Sequence, residues 1–170
     1  MRFTAPLLAA LLGLAVATSA AAQSVNPFGG FKHDETQPIE IAADELEVRE
    51  AEQIAVFRGK VDAAQGTLRL NADLLEVHYG DGGAGSGEIN RMRAEGEVFI
   101  ANGAETATGE WAEYDVSGGE IAMGGGVVLT QGGNVVKGAR LTIDLRTGRG
   151  AVDGGSGRVR SVFKPAPASE

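Results

Sequence analysis

Apolar and polar residues alternate along most of the chain with a period of two. Leu46 and Val48 alternate with Glu45 and Glu47, and Leu68 and Leu70 with Arg69 and Asn71. Leu75, Val77 and Tyr79 alternate with Glu76 and His78, and Leu141, Ile143 and Leu145 with Thr142, Asp144 and Arg146. Successive strand side chains point to opposite faces, so each segment predicts a strand with one apolar and one wet face. Gln65-Gly66, Asn102-Gly103, Ser117-Gly118-Gly119 and Gln131-Gly132-Gly133 separate these segments and are hairpin turn signals. No stretch beyond residue 22 sustains a helical period. The pattern predicts an all-β stack of antiparallel hairpins, a jelly roll or solenoid with its apolar residues inside.

The segments also repeat. Ala43-Asp44-Glu45-Leu46-Glu47-Val48 is matched by Ala72-Asp73-Leu74-Leu75-Glu76-Val77, and more loosely by the runs from Gly109 to Tyr114 and Gly138 to Ile143. Their second positions are 44, 73, 110 and 139, at intervals of 29, 37 and 29. A second signal, Gly59-Lys60-Val61, Gly96-Glu97-Val98 and Gly125-Gly126-Val127, recurs at 37 and 29. One Gly-rich insertion over Asp81 to Glu88 accounts for both long intervals. Gly124-Gly125-Gly126 reads as a bulge or tight bend before Val127.

The ends differ from this body. Arg2 precedes an apolar run from Leu7 to Ala17, and Ala20-Ala21-Ala22 supplies the small residues of a cleavage site. Residues 1–22 therefore read as an export signal cleaved near Ala22-Gln23, its apolar run being shorter than the ~20 residues a membrane span needs. Residues 23–37 read as a flexible lead, and residues 166–170 as a disordered Pro/Ala-rich tail.

Composition narrows the chemistry. The chain of 170 residues has no cysteine, two histidines (His33 and His78) and a formal net charge of −8. Thiolate metal sites and cysteine nucleophiles are excluded. Sequence-independent nucleic-acid binding is disfavoured, because it needs basic residues to neutralise phosphates. His78 has no second ligand beside it, Glu45/Glu47 and Glu110/Glu113 read as wet strand faces, and the Gly-rich loop lacks a phosphate-loop ending. No catalytic residue, metal or cofactor is expected.

Pro38 to Asp44 (PIEIAAD), Phe57 to Val61 (FRGKV) and Gln65 to Asp73 (QGTLRLNAD) resemble the opening of the OstA-like domain of Gram-negative lipopolysaccharide transport proteins. The resemblance continues more weakly through Gly138 to Ile143 and Arg158 to Pro165, and so covers residues 38–165 as one domain. The Gly-rich loop and Gly124-Gly125-Gly126 depart from the family pattern. The resemblance implies a twisted, open-ended β-jelly roll in the periplasm whose apolar interior shields the acyl chains of lipopolysaccharide. It also implies protomers stacked head to tail between an inner-membrane-anchored partner and an outer-membrane translocon.

The inward set on this reading is Ile39, Ile41, Leu46, Val48, Ile54, Val56, Leu68, Leu70, Leu75, Val77, Val98, Ile100, Leu129, Leu141 and Ile143. Periodicity alone makes it an ordinary core; the resemblance makes part of it a lipid lining. Each methylene moved from water into such a lining contributes roughly 0.8 kcal/mol. Charge is uneven as well: residues 23–133 carry a net −13 and residues 134–170 a net +4. Such fields would steer an acidic first repeat onto a basic last repeat. Arg158, Arg160 and Lys164 offer contacts to lipid headgroups or to a partner. Two other readings suit the same residues: a self-assembling structural β-repeat without lipid, and a membrane-anchored member of the same pathway.

Overall fold

The computed structural model describes residue 34 and residues 36–80 and 88–164. The expected export signal, most of the lead, nearly all of the Gly-rich loop and the expected tail lie outside them. Ten strands follow in order: β1 (Ile39–Ala42), β2 (Glu45–Arg49), β3 (Ile54–Gln65), β4 (Leu68–Tyr79), β5 (Ile89–Asn102), β6 (Glu105–Asp115), β7 (Glu120–Gln131), β8 (Asn134–Asp144), β9 (Arg149–Asp153) and β10 (Arg160–Val162). A single 3-10 turn over Glu50–Glu52 is the sole helical element among the described residues. All ten strands belong to one antiparallel sheet in which β3 to β8 pair in chain order. β1 and β2 share β3 as partner at one end, and β9 and β10 share β8 at the other. The expected all-β, open, antiparallel architecture is what the chain forms, and the hairpin turns fall at the Gly-containing pairs.

Every long strand is bent in its middle. Pairing registers shift between Arg58 and Val61, Asn71 and Leu74, Glu95 and Val98, Thr108 and Trp111, and Gly124 and Val127. At three of these corners two consecutive residues take positive φ: Gly59-Lys60, Gly96-Glu97 and Gly125-Gly126. These are the glycines of the second repeat signal. Opposite each stands an acidic residue of the first signal, because a Cβ at Gly59, Gly96 or Gly125 would collide with Asp44, Asp73 or Glu110 respectively. Asp44 also donates its backbone N–H to Gly59 O at 2.9 Å. The repeat therefore marks the bends, where a side chain on the glycine has neither the space nor the backbone freedom it needs.

The bends fold the sheet into two facing layers. One contains β1, residues 61–65, 68–72, 98–102, 105–109, 127–131 and 134–138, and β10. The other contains β2, residues 54–58, 74–79, 89–95, 111–115, 120–124 and 140–144, and β9. Alternation changes phase across the corner of β4: Leu68 and Ala72 face the core before it, and Leu75, Val77 and Tyr79 after it. One continuous core joins the inner faces, with Leu75, Met123, Leu129, Leu141, Ile143 and Leu145 fully buried. At two hairpin ends, Asp115 accepts from the backbone N–H of Gly118 and the hydroxyl of Ser117, and Asp144 from the N–H of Thr147 and Arg146. These bonds hold both carboxyls below their usual range.

Candidate functional site

Between the layers, toward the β1 end of the stack, lies an apolar cavity of about 40 Å³. Ile39, Ala63, Leu68, Leu70 and Ile100 line it from one layer, and Leu75, Met92, Ala94, Ala112 and Ile121 from the other. Four alanines (Ala63, Ala64, Ala94 and Ala112) border it, and their short side chains leave the space. The Tyr114 hydroxyl donates to Gln65 Oε1 at 3.4 Å, a polar tie from one layer to the other at the cavity margin.

Five of the fifteen sequence-predicted inward residues, Ile39, Leu68, Leu70, Leu75 and Ile100, line this cavity, and most of the rest belong to the same core. Leu68, Leu75, Val77, Val98, Ile100, Leu129, Leu141 and Ile143 are buried in the shared core, and Ile39, Ile41 and Leu70 pack against it half-buried. Two predicted residues face inward without cover, and two placements are corrected. Leu46 and Val48 stand opposite Phe57 and Ala55, and so on the inner face, yet they are 56% and 44% exposed. Their strand is the edge of the open sheet, and nothing among the described residues covers it. Ile54 and Val56 lie on the other face: Val56 is buried, but between Glu47 and Glu76 of the neighbouring strands, and Ile54 pairs with His78. Ala55 and Phe57 take the inward phase instead. The run Ile54-Ala55-Val56-Phe57 is apolar in both phases, so its alternation could not choose between them.

Outside β2 and β3, Glu47 accepts from Arg49 at 2.8 Å and from Arg58 at 2.9 Å. These two guanidinium groups, Arg49 first, hold the Glu47 carboxyl down at about 2. On the outer face of the second layer, Trp111 carries the guanidinium of Arg140 at 5.1 Å and that of Arg93 at 6.0 Å. At the far edge Val159, Val162 and Phe163 are exposed, as are Arg158, Arg160 and Lys164. The two open edges thus both present apolar side chains beside unpaired backbone.

Sequence reasoning missed a row of polar residues. Gln65, Asn102 and Gln131, read there only as turn signals, end β3, β5 and β7 on the inner face. Gln65 and Asn102 are buried, as is Glu105, which pairs with both Asn102 and Gln131 in register. The signal was available: positions 65, 102 and 131 recur at 37 and 29, the spacing of the corner glycines. Among the described residues no group of three or more His, Asp and Glu could hold a metal ion, and no helix is long and apolar enough to cross a membrane.

Comparison with known proteins agrees with this architecture. A family model described as the LptA/(LptD N-terminal domain) LPS transport protein matches residues 40–149. An uncharacterized protein of Rhizobium meliloti is 36% identical over 171 residues, covering 96% of this chain and 92% of its own. The LPS-assembly protein LptD of Neisseria meningitidis serogroup B (strain MC58) is 30% identical over 115 residues, 64% of this chain. The chain spans 13% of that relative's length. The crystal structure of LptH from Pseudomonas aeruginosa, the LptA-homologous periplasmic component of its lipopolysaccharide transport device, has the same fold, with a TM-score of 0.68 at 20% identity. It covers 78% of this chain and 99% of the LptH chain. The folded sheet, its repeated corners and the match over residues 40–149 place the chain in the LptA/LptD N-terminal domain family of lipopolysaccharide transport proteins.

Proposed function

We propose that the chain is a non-enzymatic periplasmic carrier of lipopolysaccharide, exported by residues 1–22 and folded over residues 38–165. In this reading the two layers shield the acyl chains, and the open edges join copies head to tail and dock membrane-bound partners of the same machinery at either end. The observation that carries it is the apolar interior, whose cavity is bordered by alanines; Leu46 and Val48 separately expose apolar surface on the edge strand β2.

The cavity as it stands is too small for its cargo. A methylene occupies close to a water molecule's share of about 30 Å³, so a twelve-carbon chain needs several times the 40 Å³ present. Loading therefore requires the layers to part. The driving force is ample, since twelve methylenes contribute roughly 10 kcal/mol on transfer before ordering costs. Exposed edge backbone supports the docking half of the reading, because a sheet edge recruits another strand through main-chain hydrogen bonds.

A photo-crosslinking probe placed at Ile41, Leu70 or Val98 tests the lipid path. Adducts with lipopolysaccharide are expected there, and none at the outward neighbours Glu40, Arg69 and Glu97. Equal yield at inward and outward positions, or none at either, sinks the reading.

A further inference from the structure

Glu105 is a buried acidic residue with an unused acceptor. It is 5% exposed, its Oε1 accepts from Gln131 Nε2, and its Oε2 has no hydrogen-bond partner among the described residues. A buried acceptor in that state costs free energy unless something donates to it. Glu105 lines an open pocket together with Thr67, Asn102, Gly103, Ala104, Gln131 and Gly132, and its Oε2 is itself buried. Its residues come from the ends of β5, β6 and β7 and from the turns at Thr67, Gly103-Ala104 and Gly132 on the same side of the sheet.

We infer that this pocket binds a sugar ring. Asn102, Glu105 and Gln131 stand opposite one another on three adjacent strands. At ~4.8 Å between strands the row extends roughly 10 Å, the scale of a hexose ring and its hydroxyls. The carboxyl accepts from hydroxyl or amine hydrogens, and the side-chain amides both donate and accept, which is the complement a polyhydroxylated ring requires. A phosphate would find the carboxyl an acceptor facing an acceptor. A divalent cation would find one carboxyl where it favours several. Lys164 adds a cation at the same rim: its stem lies over Gly133, and its backbone N–H donates to Asn134 Oδ1 at 2.9 Å.

The inference rests on the proposed function in one respect. If acyl chains occupy the interior, the sugar to which they are attached emerges where the inner face ends, and this row ends it. The amide positions recur with the repeat: Gln65 is engaged by Tyr114 and Gln37, while Asn102 and Gln131 line this pocket.

The test uses the 15N-labelled protein and two separate probes, an acyl-free glucosamine disaccharide and lauric acid. The disaccharide is expected to shift the side-chain amide signals of Asn102 and Gln131, and Glu105→Gln to weaken it by roughly tenfold or more. Lauric acid is expected to bind the parent and Glu105→Gln equally, which also shows that the variant is folded. Disaccharide shifts no larger at Asn102 and Gln131 than at the distant Asn71, or equal disaccharide affinity in both proteins, overturn the sugar site. Failure of lauric acid to bind either protein counts against the apolar interior as a lipid site, and leaves the disaccharide result to stand by itself. The intact glycolipid, titrated last, separates a lipid-linked sugar from a free one: binding no tighter than the disaccharide assigns the pocket to free saccharide and removes its link to the carrier reading.

Discussion

Truncating Leu75 to alanine tests whether the interior is a lipid site or only a core. Leu75 is fully buried, lines the cavity and pairs with Phe57 and Ala94 on either side. Removing its three outer carbons forfeits about 2.4 kcal/mol of transfer energy, and the enlarged void adds a cavity penalty, for a total of about 3–4 kcal/mol. In a chain of this length each kcal/mol moves the Tm by about 2–4 °C, so the loss is roughly 6–16 °C. That much is true of any core leucine. The distinguishing measurement is thermal unfolding with saturating lipopolysaccharide. An acyl chain between the layers fills the new void and regains contacts the alanine lost, so the gap between Leu75→Ala and the parent narrows. Leu46→Ala, at the exposed edge, serves as control and changes stability by about 0.5 kcal/mol or less. An undiminished Leu75→Ala gap in the presence of lipid refutes the argument, because it means cargo never reaches the cavity.

Three further outcomes follow from the geometry. Gly96→Ala is expected to destabilise by at least ~1–2 kcal/mol, since it combines positive φ with a collision at Asp73, whereas Gly126→Ala, with open space around its Cβ, suffers the backbone strain alone; chemical denaturation of the two variants should rank them in that order. Glu47 has a depressed carboxyl, so its stabilising contribution is present above its unfolded value of 4.5 and is lost as pH falls toward about 2. The Tm difference between the parent and Glu47→Gln should therefore be full at pH 7 and shrink through that window, and a difference independent of pH would remove the ion pair as its cause. Self-association between the acidic first repeat and the basic last one should weaken in sedimentation runs as salt rises; salt-independent association would leave the edges' backbone and apolar groups as the whole interaction.

Much of the architecture could be read from residue order because two periodicities agreed. Alternation identified strands such as Leu68 to Tyr79, and the spacing of Asp44, Asp73 and Glu110 against Gly59, Gly96 and Gly125 identified the repeat. What that spacing meant physically was not legible. Only the folded chain shows each acidic residue crowding the glycine that opens a left-handed residue pair, at the corner that turns one sheet into two layers. Alternation also misled where both phases are apolar, at Ile54 to Phe57, and where an inward side chain meets an open edge, at Leu46 and Val48. A pattern reports the face, while burial depends on whether another layer covers that face. The polar row ending at Gln131 is illegible for a related reason: Gln-Gly and Asn-Gly fully satisfy the turn rules, which say nothing of where the side chain before each glycine points.

If the layers part to admit a chain, the cavity near the β1 end is where opening should begin. Alanines border the cavity near the β1 end, whereas Met123, Leu129, Leu141, Ile143 and Leu145 fill the interior toward β8 without exposure. Fewer apolar contacts between layers mean a lower free energy for local opening. The first repeat also ends in short strands, β1 and β2, interrupted at Asp44 where later repeats run continuously through the corner. Opening should therefore begin at β1 and β2 and spread toward β4, while β7 and β8 stay closed. Native-state hydrogen exchange measures this directly, with amides of β1 to β3 expected to exchange well before those of β7 and β8. Lipid should then slow exchange most at Ile39 to Leu75 if the chain enters by that end. Uniform protection along the stack, or slowing by lipid confined to β8 and β9, would place the entrance at the opposite edge, beside Val162 and Phe163.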